Sequence, residues 1–244
     1  LEITHKGEIV ESKEIDDPLG FIENYQKEFH IIETEGLPKF NGGLVGYFGY
    51  DCVRYIEPRL KDSQPTDTLG TPDILFMVSE EVAVFDNLKN KLFLVVLVDS
   101  NSEEQKRLAE IRLDDLEQQL QSPLSDQALM QPKKPIDESD FISSFGENEF
   151  KASVRKVKEY IYSGDVMQVV GSQRMSIPFT ADPVSLYRAI RHLNPSPYLY
   201  YLNLEDFHIV GSSPEILARL EDEEVTVRPI AGTRRRGHDE SDDL

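Results

Sequence analysis

The pattern that most constrains this chain lies between Phe150 and Gly164. Phe150, Val154, Val157 and Ile161 recur at i, i+4, i+7 and i+11, which puts four apolar side chains on one face of a helix. Gly164 stands where a left-handed C-terminal cap is wanted. Burying each side chain is worth roughly 1.5–3 kcal/mol, so the face must lie on a sheet or on another helix. Val166 to Ile177 reads as a strand directly after it. Asp182-Pro183 is an N-cap and first-turn pair, opening a helix that carries Leu186, Ile190 and Leu193 inward. Pro197 to Leu204, Phe207 to Val210 and Val225 to Ile230 complete the strand candidates of this half.

The first half is less sharply patterned. Asp17 to Phe29 is a helical candidate behind Pro18, with Leu19, Ile22 and Tyr25 at helical spacing. The glycine-rich run from Gly42 to Asp51 alternates aromatic and apolar residues, so it reads as a strand whose Gly42, Gly43, Gly46 and Gly49 admit a second backbone closely. Ile74 to Phe85 and Lys91 to Val98 flank the turn residues Asp86 to Asn90, which predicts a β-hairpin. Ser102 starts a helix with Glu103 and Glu104 in its first turn and an apolar stripe of Ala109, Leu113, Leu116 and Leu120. Strands in groups with helices between them predict an α+β fold, mainly antiparallel sheets packed with helices, rather than a parallel βαβ array. No internal repeat is present. Pro123, Pro132 and Pro135 stand in a polar stretch, which predicts a linker over 123–138 between a first part, 1–122, and a second part, 139–244.

Charge and cysteine content exclude several classes. With 26 Lys and Arg against 45 Asp and Glu, the net charge of the 244 residues is −19. Such a chain lacks the clustered basic face that a nucleic-acid backbone requires. The longest apolar stretch, Leu92 to Val98, is strand length, so no segment predicts a membrane span. Cys52 is the only cysteine, which excludes an internal disulfide and any multi-cysteine metal site. No secretory signal opens the chain, and a reducing cytoplasm is the default location. The chain begins at Leu1 rather than Met and reads as a piece of a longer protein.

Few segments carry chemistry on their own. The glycine cluster lacks a Gly-Lys-Ser/Thr ending and the G-x-G-x-x-G spacing, so close strand packing is its simpler meaning. No two of the five histidines have zinc-ligand spacing, and no serine sits in a G-x-S-x-G elbow. Arg228-Pro-Ile-Ala-Gly-Thr-Arg234-Arg235-Arg236-Gly237 is more pointed. Four arginines within nine residues of an acidic chain, with Gly232 and Thr233 among them, suit a small anionic ligand. The same arginines could equally pair with the acidic tail from Asp239 to Asp243. Asn194-Pro-Ser-Pro197-Tyr198-Leu199 is a turn leading into a strand. Gln168 is a polar residue among apolar ones, and a buried Gln needs hydrogen-bond partners.

Taken together, five segments resemble the chorismate-utilising enzymes, and within them the large, component I, subunits of anthranilate synthase. They are FNGGLVGYFGYDCVRYIE at 40–57, GDVMQVVGSQR at 164–174, NPSPYLYY at 194–201, VGSSPEIL at 210–217 and RPIAGTRRRG at 228–237. The resemblance implies that the family's N-terminal segment and its C-terminal part, with the catalytic histidine, the Mg²⁺-binding glutamates and most chorismate contacts, lie outside this chain. It therefore implies no catalytic residue and no metal ligand here, and an inactive chain on its own. Gly232 and Thr233 match the family's chorismate-contacting pair. Asn194, Pro197, Tyr198 and Leu199 match the segment that lines the L-tryptophan pocket of feedback-inhibited members, Leu199 replacing the usual methionine. Gly171 stands where a bulkier residue is common.

Two pocket-lining positions sort the relatives. Isochorismate- and salicylate-forming members carry a lysine base in place of Gln168, and aminodeoxychorismate synthases a lysine nucleophile in place of Ala231. The pair Gln168 and Ala231 thus implies an anthranilate synthase using Mg²⁺, with ammonia supplied by a glutamine amidotransferase partner. Aminodeoxychorismate synthase component I and a non-catalytic tryptophan-binding module are the alternatives.

Overall fold

The computed structural model describes residues 1–32, 34–123, 135–230, 237–239 and 241. The chain divides into two compact units, Leu1–Pro123 and Leu124–Leu244. Most of the linker predicted over 123–138 lies outside the described residues. Its end forms a single turn at Glu138–Asp140, capped by Asp137 and Asp140 in a reciprocal box.

The first unit opens with a hairpin of β1 (Glu2–His5) and β2 (Glu8–Ser12). Helix α1 (Pro18–Lys27) follows, capped by the Asp17 carboxylate, which accepts from the Gly20 N–H at 2.9 Å. Next come β3 (Gly43–Phe48), the short helix α2 (Val53–Ile56), and then β4 (Ile74–Ser79), β5 (Glu81–Asp86) and β6 (Lys91–Val96). Helix α3 (Glu103–Gln121) closes the unit with Ser102 as its N-cap and packs on β6. The predicted strand over 74–85 is two strands. β4 pairs antiparallel with β3, and β5 pairs with β6 through the expected turn, in which the Asp86 carboxylate accepts from the N–H groups of Leu88 and Lys89. The break at Glu80 lets one apolar run serve two ladders.

Glycine makes the β3–β4 pair possible. Gly42 and Gly43 have φ of +151° and +130°, a region that residues with a Cβ avoid. A Cβ on Gly46 would run into the carbonyl oxygen of Leu75, and one on Gly49 would stand 3.0 Å from that of Asp73. The glycine cluster therefore serves close backbone packing, as its spacing indicated.

The second unit contains β7 (Ile142–Ser143), α4 (Glu147–Ser163), β8 (Met175–Ser176), α5 (Pro183–Leu193), β9 (Tyr198–Asn203), β10 (His208–Ser213), β11 (Arg219–Glu221) and β12 (Glu224–Thr226). Gly164 caps α4 with φ +81°, its N–H donating to the carbonyls of Ile161 and Tyr160. Asp182 caps α5 by accepting from the Ser185 N–H at 2.9 Å, and α5 packs on β9 and β10.

Three expectations need correction here. The strand over 166–177 shrinks to Met175–Ser176, because β7 offers a ladder only two residues long before the chain turns into α4. The strand over 225–230 ends at Thr226, its hairpin with β11 being three pairs long. Leu193, expected inward, is 80 % exposed, at the last residue of α5. Val154 and Ile161 of the α4 stripe are also partly open to solvent.

All six described sheets have two strands and are antiparallel. Among the described residues only Cys52, Val95 and Leu204 are buried apolar side chains. Helices on small antiparallel sheets make this an α+β fold.

Gly46→Ala is expected to destabilise by about 1–3 kcal/mol, the usual range for overpacking, because the obstructing atom is backbone. The atoms nearest a Cβ in Gly211→Ala belong to the Tyr200 side chain, which can swing away, so its urea midpoint should fall less. Equal midpoints for the two variants would refute this ranking. On β5, Glu81 accepts both arms of Arg112 at 2.8 and 2.9 Å, and this hydrogen bonding holds its carboxyl below the usual range. The pair therefore stabilises above the ordinary carboxylate pKa, and this is lost as pH falls through the depressed value. Arg112→Ala should return the Glu81 titration, followed by carboxyl NMR, to the ordinary glutamate range.

Candidate functional site

The β9–β10 ladder organises the predicted binding segment. Its register pairs Tyr198 with Ser213, Leu199 with Ser212, Tyr200 with Gly211 and Tyr201 with Val210. Asn194 ends α5 and donates its N–H to the Ile190 carbonyl at 2.8 Å. Pro195 and Pro197 have no N–H to give, so the turn between helix and strand is held by hydroxyls instead. Ser212 donates to the Asn194 carbonyl at 2.9 Å, and Ser196 donates to the Ser213 carbonyl. The Ser196 oxygen also accepts from the Tyr198 N–H at 3.3 Å. Asn194 and Pro197 are exposed, while Tyr198 and Leu199 are half-buried. Arg219 on β11 donates to the Tyr198 hydroxyl at 3.4 Å.

Aromatic contacts stiffen the same ribbon. Tyr200 lies across its cross-strand partner Gly211, whose missing Cβ leaves the space. Tyr201 stacks on His208 with centroids 5.6 Å apart, and its hydroxyl lies 3.2 Å from His208 Nδ1. Tyr187 of α5 tilts against Tyr201 at 6.4 Å.

Hydrogen bonds continue from this ribbon toward the arginine-bearing segment. Ser213 donates through its hydroxyl to the Glu215 carbonyl at 2.9 Å. The Glu215 carboxylate in turn accepts the Ile230 N–H at 2.8 Å. Glu215 thus ties the end of β10 to the start of the Arg228–Gly237 run. Sequence reading quoted the Ser-Ser-Pro-Glu stretch yet assigned Glu215 no role. Its partner is fifteen residues away, and no local periodicity signals such a contact.

The structure brings Asn194, Pro197, Tyr198 and Leu199 together with Ser212, Ser213 and Glu215. Ala231, Gly232, Thr233 and the arginines 234–236 lie outside the described residues. Gln168 stands apart, exposed, in the extended stretch after α4.

Perturbed titrations gather at a different place in the first unit. Burial pushes up the Cys52 thiol and the Tyr47 and Tyr55 hydroxyls, with the Asp73 carboxylate adding to each. Cys52 Sγ donates to the Asp73 carbonyl at 3.1 Å, Tyr47 to the Pro72 carbonyl at 2.7 Å and Tyr55 to Asp73 Oδ2 at 3.1 Å. All three donors end on residues 72–73, so the cluster braces the return of the chain into β4 and is structural. Among the described residues no three His, Cys, Asp or Glu side chains come together as a metal site. No helix among them is long and apolar enough to cross a membrane.

Comparison with known proteins accounts for this combination of segments. The family model described as chorismate binding enzyme matches residues 3–244, and the chain belongs to that family. Within it, the chain is 51% identical to anthranilate synthase component 1 of Pseudomonas putida, over 100% of this chain and 50% of that protein. The protein of the same name from Aquifex aeolicus (strain VF5) is 42% identical over 99% of this chain and 49% of its own length. A solved structure, anthranilate synthase component I from Streptococcus pneumoniae TIGR4, superposes with a TM-score of 0.74 at 31% identity, covering 92% of this chain and 48% of that one. The chain spans about half the length of these relatives.

The Glu215 contact carries an expected outcome. Glu215→Ala should speed hydrogen exchange at the Ile230 amide at least about tenfold, as loss of a protecting bond does. Glu215→Gln, which keeps an acceptor oxygen, should restore part of the protection. Unchanged exchange in the alanine variant would show that the Ile230 N–H does not depend on Glu215.

Proposed function

We propose that this chain is about half of the large subunit of an anthranilate synthase, an enzyme that adds ammonia to chorismate with loss of its 4-hydroxyl as water and then eliminates pyruvate to give anthranilate. The observation that supports this best is the 51% identity across the whole chain to a protein of that name, joined to the residues at two discriminating positions. Gln168 carries a neutral amide that cannot take a proton from an attacking water. Ammonia is itself a nucleophile and needs no such base. Ala231 has no nucleophilic atom, which separates this chain from members that form a covalent intermediate at that place.

In this reading Gly232 and Thr233 contact the chorismate dianion, and the neighbouring arginines suit its carboxylates. Glu215 sets where that segment starts, by holding the Ile230 N–H. Gln168 lines the pocket as a hydrogen-bonder. Mg²⁺ serves the full enzyme by binding the substrate carboxylate. In this reading its ligands are the glutamates that the family resemblance places outside this chain. Ammonia comes from a glutamine amidotransferase subunit. L-tryptophan is the feedback inhibitor, and the half-buried Tyr198 and Leu199 beside the serine-held turn at Asn194–Pro197 form its wall. The protein works in the cytoplasm, and this chain alone is inactive.

The test is anthranilate fluorescence from chorismate, Mg²⁺ and ammonium. The chain is assayed alone and together with the half of the Pseudomonas putida protein that it does not match. Signal from the combination only is the expected result. Chorismate consumption without anthranilate would favour aminodeoxychorismate synthase, and heat on mixing with L-tryptophan without chorismate consumption would favour a tryptophan-binding module. In the active combination, Thr233→Ala is expected to raise KM for chorismate or lower kcat while leaving the melting temperature alone. A fall in melting temperature with unchanged kinetics would remove Thr233 from the site.

A further inference from the structure

Two segments read as walls of different ligand sites meet at one residue, Ser213. Its pairing with Tyr198 is the last of the β9–β10 ladder, so the ladder no longer fixes the chain beyond it. On the tryptophan side the Ser213 carbonyl accepts from the Ser196 hydroxyl, and the Ser196 oxygen accepts from the Tyr198 N–H at 3.3 Å. On the chorismate side the Ser213 hydroxyl donates across Pro214 to the Glu215 carbonyl at 2.9 Å. The Glu215 carboxylate then accepts the Ile230 N–H at 2.8 Å. Ser213 and Glu215 are both half-buried, which shields these bonds in part from competing water.

The two sides differ in stiffness. Pro214 has a fixed φ and no N–H, so the step from Ser213 to Glu215 has little freedom. The turn at Asn194–Pro197 is tied to β10 by hydroxyls, Ser212 to the Asn194 carbonyl at 2.9 Å and Ser196 to the Ser213 carbonyl. A hydroxyl bond exchanges readily for one to water, which lets the turn shift while the ladder stays paired.

We propose that Ser213 is a positioning residue that couples the tryptophan wall to the chorismate segment. A ligand seated on Tyr198 and Leu199 moves the serine-held turn, and the Ser196 hydroxyl carries that shift to the end of β10. The Ser213 hydroxyl passes it through Glu215 to Ile230, and so to the run that continues into Gly232 and Thr233. This inference rests on the reading above that the chain carries parts of both sites. Such coupling is reciprocal, so chorismate weakens tryptophan binding by the factor by which tryptophan weakens chorismate binding. The Ser212 hydroxyl has no share in it, because its bond ends on Asn194 and does not reach Glu215. Arg219, which donates to the Tyr198 hydroxyl at 3.4 Å, offers a rival route through β11.

Binding measurements on this chain combined with the half of the Pseudomonas putida protein that it does not match test the proposal. Calorimetry gives the chorismate Kd with and without saturating L-tryptophan, with Mg²⁺ present and ammonium left out so that no anthranilate forms. Tryptophan is expected to weaken chorismate binding at least about fivefold in the unsubstituted protein and less than about twofold in Ser213→Ala. Ser213→Thr, which keeps the hydroxyl, is expected to restore the effect. Ser196→Ala cuts the same connection at its other end, so it should abolish the effect too, and the double variant should lose no more than either single one. Adding tryptophan should also change hydrogen exchange at the Ile230 amide in the unsubstituted protein and not in Ser213→Ala. Undiminished coupling in Ser213→Ala would overturn the proposal, as would a loss that threonine does not restore, or a loss confined to Arg219→Ala. If an anthranilate-forming protein shows any of these, the function stands and this inference alone falls. Coupling that follows Ser213 in a protein that makes no anthranilate would uphold it and overturn the catalytic reading. Tryptophan without effect on chorismate binding in the unsubstituted protein would overturn the feedback reading and this inference with it.

Discussion

Backbone pairing in twos is the constraint on which the rest of this molecule depends. Each described sheet is a single antiparallel ladder, and a lone two-stranded ribbon is marginal in water because it buries too little apolar surface. Helices relieve this in two places, α3 on β6 and α5 on β9 and β10. Elsewhere ladders keep open edges and open faces, and Cys52, Val95 and Leu204 are the buried apolar side chains among the described residues.

The strongest local order appears where side chains take over work that the backbone cannot do. At Asn194–Pro197 two prolines remove donors, and Ser196 and Ser212 replace them with hydroxyl bonds across to the neighbouring strand. At residues 72–73 Cys52, Tyr47 and Tyr55 converge on one stretch of backbone. Both arrangements fix a chain reversal next to a ladder, and only the first lies beside residues that the family resemblance connects with a ligand. A perturbed titration is therefore a poor guide to function in this protein. The raised groups mark a brace, whereas the site reading rests on Gln168, Ala231 and the arginine run.

Glu215 illustrates how the two levels join. Its backbone carbonyl accepts from Ser213, on the side of the serine-held turn, and its carboxylate accepts from Ile230, on the side of the arginine run. One residue thus sets the distance between two segments that were read separately. The physical basis is ordinary: a carboxylate can accept several bonds at once, and a charge-assisted one from a backbone N–H is short and directional.

Local chemistry was legible in the residues themselves. Asp17, Ser102 and Asp182 cap their helices as their side chains dictate, and Gly164 takes the left-handed cap because it has no Cβ. The glycines at 42, 43, 46 and 49 announced a close backbone approach, and the motif order announced the family. Other features were decided only by the tertiary structure. Whether Val166–Ile177 is a strand depends on a partner, and propensity within the segment cannot supply one. Where the run from Ile74 to Phe85 divides depends on which ladder each half joins, and the contact between Glu215 and Ile230 depends on how two hairpins are placed. Caps and turns are settled by bonds within a few residues, so sequence alone determines them. Sheet membership and long-range tethers are settled by bonds between distant residues, which only the folded chain brings together.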